Sequence, residues 1–115
     1  MLDKTILELN EVVDNEFLRA SKDHGTTFAS YHEGYAVLLE EFEEARTEFD
    51  RLERTVRHLW AAIKNDDMLS LYPYEVKRHA VLTAAELVQV AAMAEKLRYT
   101  NQLFNEAELM GGGKK

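Results

Sequence analysis

Two stretches carry the side chains best suited to chemistry: LLEEFEEARTEF at residues 38–49 and AVLTAAELVQVAAMA at residues 80–94. In the second, Glu86 is the single ionisable residue. At 100° per residue, Leu82, Val90, Met93, Leu97 and Phe104 project within about 40° of it, so the carboxylate sits at the centre of an apolar stripe. Burying such a group unpaired costs on the order of several kcal/mol, a large part of a small domain's stability. It must be protonated, salt-bridged or bound to a metal.

The first stretch supplies companions. Relative to Leu38, Glu41 and Glu48 project about 60–80° to one side and Glu44 about 120° to the same side, whereas Glu43 points nearly opposite. Like charges one turn apart destabilise a helix by a few tenths of a kcal/mol per pair. A hard divalent cation turns that repulsion into coordination, because Mg²⁺ prefers oxygen ligands and keeps open positions for phosphate oxygens. Two plainer readings compete: a solvated acidic face for the α-helical glutamates, and for Glu86 a salt bridge to Arg19, Lys22, Arg54 or Arg57.

Glu40-Glu41-Phe42-Glu43-Glu44 matches the pattern EExxE, and Glu86-Leu87-Val88-Gln89 matches ExxD except at its last position. Together with GTTFASYHEGYAVLLEEFEE and AAELVQVAAMA, about half the chain resembles the MazG-type all-α nucleoside triphosphate pyrophosphohydrolases, in particular small MazG-like proteins of phage type. The resemblance implies Mg²⁺- or Mn²⁺-dependent cleavage of a (deoxy)nucleoside triphosphate to monophosphate and pyrophosphate, in nucleotide-pool control. It implies metal ligation by Glu41, Glu44, Glu86 and Gln89, and a catalytic role for Glu40 and Glu41, with Glu40 either a further ligand or the group that orients or deprotonates water. Lys22, His32 and Glu48 are its candidates for substrate contact. Gln89 departs from the pattern: an amide oxygen can coordinate but cannot act as a base. The interval from Glu44 to Glu86 is also longer than usual in the family. The alternative is a non-catalytic helical interaction protein on the same scaffold. A ferritin-like di-metal bundle would require Glu-x-x-His pairs, whereas Glu75 and His79 are spaced by four.

Three helices must position these groups. The first is expected over about 3–23, with Leu2, Ile6, Leu9, Val13, Phe17 and Ala20 in phase and Gly25 ending it. Ser30 and Glu33 form a capping box. The second helix carries Tyr35, Leu38, Phe42, Ala45, Phe49, Leu52, Val56, Leu59 and Ile63 as one narrow stripe that fails at NDD, residues 65–67. The single proline, Pro73, places the connection at about 65–73. The third helix is expected over about 74–108, with a break near Thr100 and Asn101. The fold class is therefore an all-α bundle of three to four helices, one domain over 1–110 with a tail at 111–115. The third helix is apolar on nearly all sides, which predicts a homodimer or homotetramer. Phe28, Trp60 and Tyr72 read as core aromatics before base-stacking ones.

A net charge of −7 opposes binding to a phosphate backbone, so no nucleic-acid partner is expected. No cysteine is present, no apolar run approaches a membrane span, and the N-terminal residues lack a signal-peptide pattern. A cytoplasmic location is expected, the host cytoplasm if phage-encoded.

Overall fold

A computed structural model describes residues 2–111 of the chain. It is all helical: α1 (Leu2–His24), α2 (Tyr31–Lys64) and α3 (Leu71–Met110), with no strand among the described residues. Local chemistry sets the ends. Gly25 adopts φ 79°, and its N–H reaches the Ser21 carbonyl to close α1. Ser30 Oγ accepts the Glu33 N–H at 3.0 Å, and Glu33 reaches back to accept the Ala29 N–H at 2.7 Å. At the end of α2, Asp66 takes φ 52°; its N–H bonds the Ile63 carbonyl and the Asp67 N–H the Ala62 carbonyl. That pair of reversed bonds is how NDD stops the helix.

Two expected boundaries are corrected. The connection after α2 spans only 65–70, because Pro73 lies in the first turn of α3, where its missing N–H would have no helical partner anyway. Nor does α3 break near Thr100. That hydroxyl donates to the Lys96 carbonyl and accepts the Phe28 N–H, both at 2.8 Å, so a polar residue at 0% exposure pins the 25–30 loop to a continuous helix. Of the expected tail, Gly111 closes α3 through its N–H on the Ala107 carbonyl, and 112–115 lie outside the described residues.

α3 is the spine. α2 packs antiparallel along it, α1 packs on its C-terminal half, and α1 and α2 do not pack closely on each other. The braced end holds the large buried side chains, Phe17 and Phe28, with Phe17 against the Tyr99 ring and Tyr31 edge-on to Phe104. Here Gly34 lets the backbones approach: a Cβ would stand 2.7 Å from Leu97 Cδ1. Beyond the reach of α1, the α2–α3 arm buries only small residues, Ala45, Ala62 and Thr83.

The single apolar stripe expected on α2 divides into two lines. Leu38, Ala45, Leu52 and Leu59 turn inward beside Gly34, Glu41, Glu48, Thr55 and Ala62. Tyr35, Phe42, Phe49, Val56 and Ile63, one position round from that second set, stay 45–61% exposed. Trp60, expected in the core, is exposed, Tyr72 is half-buried and Phe28 is buried. On α1, residues 2–12 are exposed throughout, so only the second half of its stripe meets α3. The outcome is a rod of 70 × 28 × 24 Å with a radius of gyration of 19.5 Å, against about 13 Å for a compact chain of this length.

Candidate functional site

The register of the hairpin determines what each glutamate meets. Gly34 lies against Leu97, Ala45 shares a groove with Thr83, and Glu48 meets His79. Moving one heptad from the Glu48–His79 layer, back along α2 and forward along α3, puts Glu41 opposite Glu86.

The structure places Glu41 under the influence of both Glu44 and Glu86. The Glu41 carboxyl is held above its ordinary range by partial burial first, then by the negative charges of Glu44 and Glu86, a hydrogen bond with Glu44 and the charge of Glu40. Glu86 is half-buried, and no cation pairs with it among the described residues. Arg19 is engaged by Glu16 and Arg57 by Glu53, and neither Lys22 nor Arg54 forms an ion pair there. The salt-bridge reading of Glu86 is therefore not realised. Glu40 and Glu44 are exposed at the rim, which leaves their oxygens accessible to a solute.

The other candidates lie elsewhere. The Gln89 amide acts on Glu16 of α1: after the stronger Arg19 bond at 2.9 Å, it helps to hold the Glu16 carboxyl below its ordinary range. Its amide thus serves the α1–α3 contact. Glu48 bonds Arg51 at 2.6 Å and stands 3.4 Å from His79 Nδ1. Partial burial would raise its carboxyl, but those two partners outweigh it and hold it low. Lys22 and His32 are exposed, on α1 and in the first turn of α2.

Sequence reasoning passed over the role of His79. Its Nε2 is 3.4 Å from Glu75 and its Nδ1 3.4 Å from Glu48, which makes it a polar strut across the seam. The i,i+4 spacing of Glu75 and His79 was the only local signal; the Glu48 contact depends on register.

The donor set of Glu41, Glu44 and Glu86 fits a hard cation chemically: oxygen ligands from two facing helices, in a layer with unrelieved negative charge. Among the described residues, no group of three carboxylates or imidazoles is already drawn together at a spacing that could hold an ion. No protein-family model matches the chain, and no curated protein or solved structure matches it either. What the fold and site define is a class: an all-α hairpin braced by a third helix, with an acidic layer at the edge of the brace. No helix among the described residues is long and apolar enough to cross a membrane.

Proposed function

We propose that this chain is a Mg²⁺-dependent nucleotide pyrophosphohydrolase of MazG-like type, cleaving (deoxy)nucleoside triphosphates in a cytoplasmic pool. The observation that carries the reading is the Glu41–Glu86 layer: a half-buried carboxylate with no cationic partner among the described residues, facing another that burial and then like charges hold above its ordinary range. Such an arrangement costs stability unless a ligand relieves it, which is how functional sites differ from structural ones.

In this reading Glu41, Glu44 and Glu86 hold the cation. Bound there, Mg²⁺ or Mn²⁺ supplies neutralisation of the triphosphate and stabilisation of charge at the α-phosphorus. Glu40, exposed one position before Glu41, orients or deprotonates the attacking water. Water adds at the α-phosphorus, the bond to the bridging oxygen breaks, and pyrophosphate leaves. Gln89 takes the part of a positioning residue through Glu16, since its amide already serves that contact.

The same proposal includes self-association as a homodimer or homotetramer. The chain exposes 8619 Å², whereas a compact monomer of 13.3 kDa exposes about 6,500 Å². The excess, roughly 2,000 Å² per chain, is what each partner buries in an extensive obligate interface. The exposed line Tyr35, Phe42, Phe49, Val56 and Ile63 provides its apolar centre.

The test is pyrophosphate release from a panel of ribo- and deoxynucleoside triphosphates with Mg²⁺, alongside Glu86→Gln and Glu44→Gln. Turnover should fall about a hundredfold or more in both variants. Unchanged turnover would refute the site; no turnover with any triphosphate would refute the activity. The influence of the Gln89 amide on Glu16 favours a second reading, a non-catalytic interaction protein, because it gives the residue at the pattern's acid position a neighbour on α1. That reading predicts no thermal stabilisation by Mg²⁺ plus a non-hydrolysable triphosphate.

A further inference from the structure

Lys96 is a buried lysine, 9% exposed, on the α3 face beneath the end of α1. No carboxylate lies within ion-pair distance of it among the described residues. Its ammonium donates one hydrogen bond of 3.4 Å to the His24 carbonyl, at the end of α1, and stands 4.5 Å from the centroid of the Phe28 ring. An ammonium has three donors, and a neutral carbonyl near the limit of hydrogen-bond length takes one. Two of its three donors have no protein acceptor among the described residues.

Beside it opens a cavity of about 420 Å³, where α1, the 25–30 loop and the start of α2 meet. Lys96, His24 and Thr27, whose side chains carry N–H or O–H donors, line it together with the apolar Phe28 and Met93. Glu33 also lines it; one of its carboxylate oxygens accepts the Ala29 N–H of the capping box, and its charge lies beyond ion-pair distance of Lys96. A cation withdrawn from water without a carboxylate favours an anion in the adjoining space. The volume falls in the range of small-molecule sites.

We infer that this cavity binds a small phosphate-bearing anion, with the Lys96 ammonium as its charge partner and the Thr27 hydroxyl and His24 ring as further donors. A tetrahedral oxyanion has enough acceptor oxygens to engage all three donors at once, and lysine serves phosphate as a point charge. Lys96 follows Glu86 by ten residues, about 15 Å along α3. The site is thus separate from the acidic layer and stands without the nucleotide reading.

The test is titration of the ¹⁵N-labelled full chain with inorganic phosphate at constant ionic strength and without divalent cations, with acetate in a parallel arm. Saturable amide shifts at Thr27, Phe28 and Lys96 are expected with phosphate, and clearly weaker binding with acetate. Lys96→Gln should weaken phosphate binding about tenfold or more, and Lys96→Arg should retain most of it. The absence of saturable shifts in the wild-type chain, acetate bound as tightly as phosphate, or undiminished affinity in a folded Lys96→Gln overturns the inference. If Lys96→Gln does not fold, Thr27→Val replaces it: a severalfold loss supports the site, and unchanged affinity overturns it. The readout contains no nucleotide, so its failure and that of the pyrophosphate assay are distinguishable.

Discussion

Two layers of the α2–α3 seam lie one heptad apart and share a glutamate on α2, but differ in what surrounds it. In one, Glu48 faces His79, with Arg51 and Glu75 completing a chain of complementary partners. In the other, Glu41 faces Glu86 and the neighbouring charges, Glu40 and Glu44, are of the same sign. The first layer shows how this seam accommodates a carboxylate when stability is the only demand. The second violates that solution a heptad away, in the same rod, where helix propensity and register are equivalent. Under the proposed function, a ligand is the cause of that difference.

The largest expected effect comes from making the layers alike in the wrong direction. His79→Glu removes the partner of Glu48 and adds a like charge, so the melting temperature should fall by roughly 5–10 °C. A fall no larger than that of an exposed control would break the comparison. The reciprocal change, Glu86→His, copies the compensated layer onto the uncompensated one. It should raise the metal-free melting temperature by about 3–5 °C while abolishing pyrophosphate release.

A smaller effect lies in pH dependence. A carboxyl held above its ordinary value of 4.5 binds its proton more tightly in the folded chain. Ionising Glu41 therefore lowers stability as pH rises from that value through the raised one. Glu48, held low, contributes stability above its unfolded value and loses it as pH falls through the lowered one. Denaturant midpoints measured against pH should accordingly lose their decline on the upper limb in Glu41→Gln and their acid-side rise in Glu48→Gln. Interchanged limbs would show that the layers had been assigned the wrong way round. The smallest effect is the control: Arg57→Ala breaks an exposed pair with Glu53 and should move the melting temperature by less than about 2 °C.

Much of the fold was legible because it is local. The Ser30–Glu33 box, Gly25 and the NDD stop are written within four or five residues of where they act, and α1 and α2 fall where periodicity puts them. Pro73 misled because proline interrupts a helix interior but not its first turn. Thr100 misled because a polar residue in an apolar run looks like a break until the Phe28 N–H it accepts is known. The carboxylates of α2 were legible as a cluster. Their division into Glu41, which meets Glu86, and Glu48, which meets His79, was not. The position of Gln89 in the motif was legible, whereas its neighbour Glu16, 73 positions away, was not.

By itself the sequence determined two amphipathic helices and a third that is apolar nearly all round, the ends of the first two, and the placing of Glu86 among apolar neighbours, since each depends on hydrogen bonds and side-chain spacing within a few turns. Tertiary structure alone decided which of two adjacent apolar lines on α2 is covered, which glutamates face one another, and that Lys96 is enclosed beside a cavity. Those outcomes follow from the register in which the 65–70 connection returns α3 along α2 and from where α1 crosses the spine. Both are long-range choices, set by packing the whole chain at once, and no window of a single helix contains them.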